Sequence, residues 1–193
     1  ANNPACGGGG GTGDICTDAI IAIDGSNNVD NTAATTGTDP ISDAQCVGSF
    51  LGEFVNDIWY SYTATSTGSM EVSTCNSIDF DSDIAIYVGG CGSLDQIACN
   101  GDAPGCANFT SIVSGVAVTS GTQYFIRVGG FNTPTGVGTG TMTISIGGGG
   151  PATENCTNGT DDDGDGLVDC ADPDWANNPA CGGGGGTGDI CTD

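Results

Sequence analysis

The chain has 193 residues, of which 24 are acidic and one is basic, and its formal net charge is -23. So acidic a chain repels nucleic acid and anionic membranes, and since no run of about 18 apolar residues is present we expect no membrane insertion. Without His or Lys, it cannot form a Ser–His–Asp triad, a Schiff base or a His-ligated metal site.

Paired carboxylates, as in glycosidases, are the catalytic option that this composition leaves open. The acidic residues of the central part of the chain lie in turn-like segments, and nothing in the sequence indicates a buried acid with a raised pKa. We therefore expect a protein that is not an enzyme.

The two ends of the chain repeat each other: residues 1–18 and residues 176–193 are identical, letter for letter. Self-similarity at a fixed period indicates a repeat, and this period has the length of a whole domain with its linker. The sequence therefore predicts a window from a tandem array, in which the partners are neighbouring copies of the same unit. The alternative is a protein with only two such segments.

Eleven cysteines without any histidine predict disulfide bonds in an oxidising space, and hence an extracellular or cell-surface protein. Zinc binding is the competing interpretation, but CxxC pairs are absent from the sequence. Cys6 and Cys16 duplicate Cys181 and Cys191, so one repeat has nine cysteines, an odd number. One thiol is then free or paired between chains, and Cys6, equivalent to Cys181, is the candidate.

Short apolar segments with the alternation of β-strands follow the Gly-rich tract at 7–13. In chain order they lie at 20–23, 57–63, 70–72, 84–88, 124–128 and 142–146. No stretch has a 3.6-residue apolar period of helical length. About eight short strands of this kind predict an all-β fold, a jelly-roll-like antiparallel β-sandwich.

Five segments of the chain occur in the order found in the bacterial pre-peptidase C-terminal domain family. They read DIWYSYTA, VSTC, FDSDIAIYVGGCGSLDQIACNGD, SGTQYFIRVGGFN and GTGTMTISI. Residues 14–146 resemble the Cys-bearing variants of this family. The resemblance implies a jelly-roll-like sandwich without catalytic activity, in which Asp81 and Asp102 cluster at one end. Arg127 lies in the segment that matches the family's IRV, and it is either paired with one of these acids or an exposed lone cation.

The acidic segment at 161–174 has the spacing of an EF-hand calcium loop. Alternate residues of such a loop point their oxygens at one centre, and Gly166 permits the sharp bend. The candidate Ca²⁺ ligands are Asp161, Asp163, Asp165, the backbone carbonyl of Leu167, Asp169, Asp172 and Asp174. The alternative, a solvated acidic loop, leaves these carboxylates converging without a counter-ion.

The loop departs from the EF-hand at two points. Asp172 stands where an EF-hand has Glu and reaches less far, so Asp174 substitutes for it or supplements it. Cys156 and Cys170 flank the loop in place of amphipathic helices, which indicates that disulfides hold it. The segment resembles thrombospondin type 3 repeats and the acidic metal-binding segments of many bacterial surface proteins.

The predicted organisation divides the chain into five segments. They are a Gly-rich linker at 1–13, the β-sandwich at 14–146, a second Gly-rich linker at 147–153, the calcium-binding loop at 154–175, and the linker and start of the next repeat at 176–193.

The expected disulfide pairs are inferred from the sequence separation of the cysteines. Cys91 and Cys99 enclose a short loop and are expected to pair, and the next expected pairs are Cys75 with Cys106 and Cys16 with Cys46. Either Cys156 with Cys170 or Cys170 with Cys181 would close the metal loop.

Two functions fit these features. The first is a structural repeat unit of an extracellular, calcium-stabilised filament or surface fibre. The alternative is a secreted adhesion or carbohydrate-binding accessory module of a larger surface protein, with glycans as partners. Aromatic residues in loops would favour the second function; Phe131 and Trp175 are the loop candidates, whereas Trp59 lies in a strand and is expected in the core.

Overall fold

The computed structural model describes residues 12–39, 41–42, 44, 46, 54–132 and 136–147. These residues form nine strands and two short 3-10 helices, Cys16–Asp18 and Ala107–Phe109. The strands are β1 (Ile20–Ala22), β2 (Gly25–Asp30), β3 (Val55–Thr63), β4 (Gly68–Ser73), β5 (Ser82–Gly90), β6 (Ser93–Asn100), β7 (Ile112–Val118), β8 (Gln123–Gly130) and β9 (Thr139–Gly147).

The strands form two sheets, one of five strands in the order β1-β3-β8-β5-β6 and one of four strands in the order β2-β9-β4-β7. Neighbouring strands are antiparallel except for β1, which pairs with β3 in parallel. The predicted all-β sandwich is therefore confirmed, with one parallel pair at the edge of the larger sheet.

The main hydrophobic core lies between the two sheets, because every second residue of a strand faces the same side. Its fully buried side chains include Tyr60, Tyr62, Met70, Val72, Ile84, Ile86, Ile126, Val128, Met142 and Ile144. The two tyrosines turn their polar ends to the rim, where the Tyr60 hydroxyl donates to the Asn28 carbonyl at 2.7 Å. The alternating segments noted in the sequence are the inward faces of β3, β4, β5, β8 and β9.

A second, smaller core covers the outer face of the five-stranded sheet. Its buried members are Phe54, Trp59, Ala85, Tyr87, Cys99 and Phe125, against which Ile41, Cys46 and Leu94 pack. The connection between β2 and β3 therefore crosses this face, and the central strands β3, β5 and β8 are apolar on both sides. Trp59 is confirmed as a core residue, with 0% of its surface exposed.

The polar strand β2 has no counterpart among the predicted strands. Val29 is its one buried apolar side chain. At the other inward position, the Asn27 amide nitrogen donates to the Ile23 carbonyl at 2.8 Å, and its oxygen accepts from the Ile23 N–H at 2.9 Å. β2 pairs with β9 along its whole length, but its polar side chains lack the apolar alternation by which strands are recognised.

The three disulfide bonds of the described residues are Cys16–Cys91, Cys46–Cys99 and Cys75–Cys106. The last was expected, whereas the predictions of Cys91 with Cys99 and Cys16 with Cys46 are wrong. Cys91 lies in the turn before β6 and Cys99 near the far end of that strand, and six residues of extended chain span about 20 Å. That distance is several times what a disulfide can bridge, so Cys99 pairs with Cys46 of the β2–β3 connection and Cys91 with Cys16 of the short helix before β1.

Arg127 is neither an exposed cation nor a partner of Asp81 or Asp102, the two roles considered from the sequence. It is 1% exposed, and its Nε donates to Asp57 Oδ2 at 2.7 Å. The guanidinium carbon lies 4.9 Å from the ring centroid of Phe54 and 5.2 Å from that of Trp59. The ion pair therefore belongs to the smaller core and ties β3 to β8.

Apart from residues 12, 13 and 147, the predicted linkers, the calcium-binding loop and the repeated end at 176–193 lie outside the described residues. In the part of the chain that the structure describes, no helix is long and apolar enough to span a membrane.

Candidate ligand-binding cleft

One end of the five-stranded sheet brings together segments that are far apart in sequence. At this end Ser82 of β5 is paired with Gly130 of β8, and Ile84 of β5 with Asn100 of β6. The residue before β5 and the residues after β6 and β8 therefore lie at the same edge. The Phe131 N–H donates to the Asp81 carbonyl at 3.1 Å and fixes the relation between two of them.

A cleft of about 210 Å³ opens at this edge, which we call the end cleft. It is lined by Asp81, Asp102, Phe109 and Phe131. The structure thus brings Asp81 and Asp102 together at one end of the sandwich, as the family resemblance implies, and adds two aromatic rings beside them. Phe131 was a sequence candidate for a ligand contact, and it lies in this cleft.

The two carboxylates of the end cleft oppose each other electrostatically. Asp81 Oδ1 is buried and has no hydrogen-bond partner among the described residues. Burial raises the pKa of the Asp81 carboxyl to about 6, and the negative charge of Asp102 adds to the rise. The sequence indicated no buried acid with a raised pKa, whereas Asp81 is half-buried and its pKa is raised, because the sheet end that desolvates it forms only in the folded chain.

Phe109 is the most exposed aromatic side chain of the cleft, with 65% of its surface accessible. The backbone of Asn108 and Phe109 has φ values of 54° and 56°, a region that side chains with a Cβ rarely adopt. Strained backbone of this kind persists only where the surrounding contacts enforce it, and it is frequent at ligand sites. The loop therefore presents an apolar ring to solvent in a fixed direction.

Covalent and polar contacts hold the Phe109 loop. The Cys75–Cys106 disulfide joins it to the end of β4, and the Asn76 side chain accepts from the Ala107 N–H at 2.8 Å. The Ala103 N–H donates to the Thr110 carbonyl at 3.1 Å, so the two ends of the loop are also bonded to each other. Asp102 and Phe109 lie on this one braced segment, and their spacing needs no ligand to form.

The sequence reading missed Phe109 as a site residue. It stands between Asn108 and Thr110 with no apolar periodicity around it, so no pattern of a strand or helix includes it. A signal was available, because an aromatic residue in a polar segment bounded by Cys106 has no strand in which to be buried. Only the positive φ values explain why the ring points outward.

An aromatic face next to two carboxylates suits a ligand with both apolar and hydroxyl surfaces. Aromatic rings pack against apolar C–H surfaces, and a few placed polar groups orient a ligand in an otherwise apolar site. Carboxylate oxygens accept hydrogen bonds from hydroxyl groups. Within the described ranges, no group of three or more metal-ligating side chains is present. The predicted Ca²⁺ ligands at 161–174, and Trp175, lie outside the described residues.

Comparison with known proteins gives a match to one protein family. A family model described as galactose-binding domain-like and T9SS-associated matches residues 12–144. Among solved structures, the Podospora anserina GH26-CBM35 beta-(1,4)-mannanase is similar at 15% identity, covering 72% of this chain and 31% of that chain, with a TM-score of 0.27. The chain thus spans about a third of that protein's length. The TM-score is too low for this similarity to support a conclusion about fold or function. No curated protein matches the chain.

Proposed function

The chain belongs to the T9SS-associated, galactose-binding domain-like family, and on that premise we propose that it is a carbohydrate-binding accessory module of a larger secreted or cell-surface protein. The observation that carries the proposal is the end cleft, where the exposed ring of Phe109 adjoins the unsatisfied carboxylate of Asp81. The module binds glycans and has no catalytic role of its own.

The secreted location follows from the cysteines and the family. All six cysteines of the described residues are in disulfide bonds, which form and persist in oxidising compartments. The T9SS association of the family supports the same placement.

The composition also limits which glycans the module takes. The only Lys or Arg residue in the chain is Arg127, and there is no His. Arg127 is buried and bound to Asp57. No side chain is therefore available to neutralise a glycan carboxylate or sulfate, so the module binds neutral sugars and repels acidic ones.

A glycan array comparing the native chain with Phe109→Ala tests the proposal. We expect the native chain to bind a set of neutral glycans and the variant to lose about tenfold in affinity, the order of magnitude for an aromatic contact surface that is buried by a ligand. Ile21→Ala on β1 is the matched control, because Ile21 is a large apolar side chain with 82% of its surface exposed, and it does not line the cleft. No bound glycan, or equal binding by Phe109→Ala, would refute the assignment of this site.

A tandem array is a second proposal, and the repeated segment favours it. Residues 12–18 are an integral part of the folded unit, since Cys16 is bonded to Cys91 and the Gly13 carbonyl accepts from the Trp59 N–H at 2.7 Å. The copy at 187–193 thus has the residues with which such a unit starts. Electron microscopy of a chain with consecutive repeats tests this proposal, because an array predicts one bead for every repeat. Glycan binding by each bead is compatible with it.

Calcium binding by Asp161, Asp163, Asp165, Leu167, Asp169, Asp172 and Asp174 is the third part of the proposal. The support is the spacing of these residues alone. In this scheme Ca²⁺ orders the acidic segment that follows the sandwich.

A further inference from the structure

A second cavity, of about 230 Å³, lies on the outer face of the five-stranded sheet, away from the end cleft. We call it the outer cavity. It is lined by Asp39, Trp59, Tyr87, Gly92, Ser93 and Leu94. Trp59 and Tyr87 are 0% and 3% exposed and form its floor, whereas Asp39, Gly92 and Ser93 are exposed and form its rim.

The floor of the outer cavity contains two polar atoms without a partner. The indole Nε1–H of Trp59 and the hydroxyl of Tyr87 are both buried, and neither makes a hydrogen bond within the described residues. The Tyr87 hydroxyl lies close to the Arg127 guanidinium, and because arginine only donates hydrogen bonds, a contact between them leaves the Tyr87 O–H without an acceptor. Folded proteins pair nearly all such groups, so two orphans in one cavity indicate a ligand or water that completes them.

The protonation of these groups is settled by their surroundings. Burial raises the pKa of the Tyr87 hydroxyl, and the Arg127 charge offsets the rise only in part. The hydroxyl therefore keeps its proton and acts as a donor, as the indole N–H always does. The floor offers two donors, and the Asp39 side chain on the rim offers acceptors.

The rim is held in place without a ligand. The Asp39 carbonyl accepts from Arg127 Nη1 at 3.0 Å, which ties the β2–β3 connection to the sheet. Gly92 follows Cys91, whose disulfide with Cys16 anchors the β5–β6 turn, and the φ of 96° at Gly92 suits glycine alone. A cavity that is braced in this way binds with little loss of conformational entropy.

We propose that the outer cavity is a second binding site, which takes a single neutral sugar residue. A water molecule occupies about 30 Å³ in the liquid, so the cavity has room for about eight, the scale of one sugar ring and not of an oligosaccharide. A sugar oxygen accepts from the Trp59 indole, a second one accepts from Tyr87, and a sugar hydroxyl donates to Asp39. The choice of a sugar rests on the proposed function, whereas the existence of the site rests on the two orphan donors.

Nuclear magnetic resonance of the two tryptophan indoles tests this site directly. The chain has only Trp59 and Trp175, so Trp175→Phe assigns both indole N–H signals. The probes are the methyl glycosides of galactose, glucose and mannose, added to the native chain and to Phe109→Ala. We expect the Trp59 signal to move downfield with at least one glycoside in both proteins, because the indole gains an acceptor.

Two variants separate a built site from a structural role. Tyr87→Phe removes an unpartnered hydroxyl and Asp39→Asn removes the rim charge; each is expected to weaken the Trp59 response about tenfold while leaving the unfolding midpoint in place. Asp95→Asn is the matched control, since Asp95 is an exposed acid of β6 that does not line the cavity. If Tyr87→Phe is unstable, the Trp59 response of Asp39→Asn is compared with that of Asp95→Asn, and a weaker response in Asp39→Asn alone supports the site.

The outcomes distinguish this site from the proposed function. A Trp59 signal that no glycoside moves, together with array binding that Phe109→Ala abolishes, overturns the outer cavity as a sugar site and leaves the function standing. Loss of both the array signal and the Trp59 response overturns both. A Trp59 response that survives Phe109→Ala and weakens in Tyr87→Phe or Asp39→Asn supports a second site.

Discussion

The Arg127 guanidinium and the Asp57 carboxylate form an ion pair of 2.7 Å in which both side chains are buried. Asp57 Oδ1 also accepts from the Gly37 N–H at 2.7 Å. The pair thus joins the β2–β3 connection to the centre of the five-stranded sheet, where the rings of Phe54 and Trp59 face the cation.

Breaking this pair on one side is expected to destabilise the fold strongly. Arg127→Met leaves Asp57 buried without its counter-ion, which costs about 3–5 kcal/mol of unfolding free energy. The double variant Asp57→Leu/Arg127→Met removes both charges and is expected to lose much less. Urea unfolding of the three proteins measures this. Equal losses of unfolding free energy in the single and double variants would show that the packing of the two side chains, not their charge, determines how much they stabilise the fold.

Stability is expected to fall as the pH rises from about 4 to about 6. The pKa of the Asp81 carboxyl is raised from 3.8 to about 6 by burial and by Asp102. A raised pKa means that the folded state holds the proton on Asp81 more tightly than the unfolded state. The bound proton therefore stabilises the fold at low pH, and this stabilisation is lost as the pH rises from about 4 to about 6. Because Asp81 is partly exposed, we expect no more than about 1 kcal/mol.

The variant Asp102→Asn provides the control for that pH dependence. It removes one of the two causes of the raised pKa, so it is expected to lower the Asp81 pKa and to flatten the stability curve between pH 4 and 6. Carbon-detected titration of the Asp81 carboxyl and thermal melts at several pH values are the measurements. An Asp81 pKa that is unchanged in Asp102→Asn would exclude the coupling.

Removing the Cys75–Cys106 disulfide is expected to weaken glycan binding as well as stability. Cys75→Ser/Cys106→Ser opens a 31-residue separation, and loss of a native disulfide typically costs about 2–5 kcal/mol. The Phe109 loop also loses its covalent anchor, so the binding-competent position of the ring becomes less populated. Calorimetry of binding at a temperature where the variant is folded separates the two effects. Native affinity in the folded variant would show that the hydrogen bonds suffice to hold the loop.

Calcium is expected to bind the acidic segment and to raise the thermal stability of the chain. Asp163→Asn/Asp165→Asn removes two negative charges from the proposed site, which lowers Ca²⁺ affinity because the affinity of such loops depends on the number of charged ligands. Titration calorimetry with CaCl₂ measures the loss, and Asp95→Asn again serves as the control. A melt in excess chelator that equals the calcium-loaded melt would contradict a role in ordering the joint.

Local sequence patterns were sufficient for the strands that face the main core. In β4 and β9 the buried residues alternate with more exposed ones, and β3, β5 and β8 have longer buried runs, so their conformation is visible without knowledge of their neighbours. Asn27 in β2 and Phe109 in its loop depart from these patterns, because one is held by side-chain amide bonds and the other by a braced turn.

The sequence by itself determined the all-β class, the cysteine-rich composition that favours a secreted or cell-surface location, and the near-absence of basic side chains, because these follow from composition and from the period of two. Only the tertiary structure decided that Cys16 meets Cys91, that Arg127 meets Asp57, and that Phe109 and Phe131 flank Asp81. These contacts depend on which strands are neighbours and on the path of the β2–β3 connection across the sheet. Strand order and such a crossing are set by the packing of the whole chain, which no local pattern encodes.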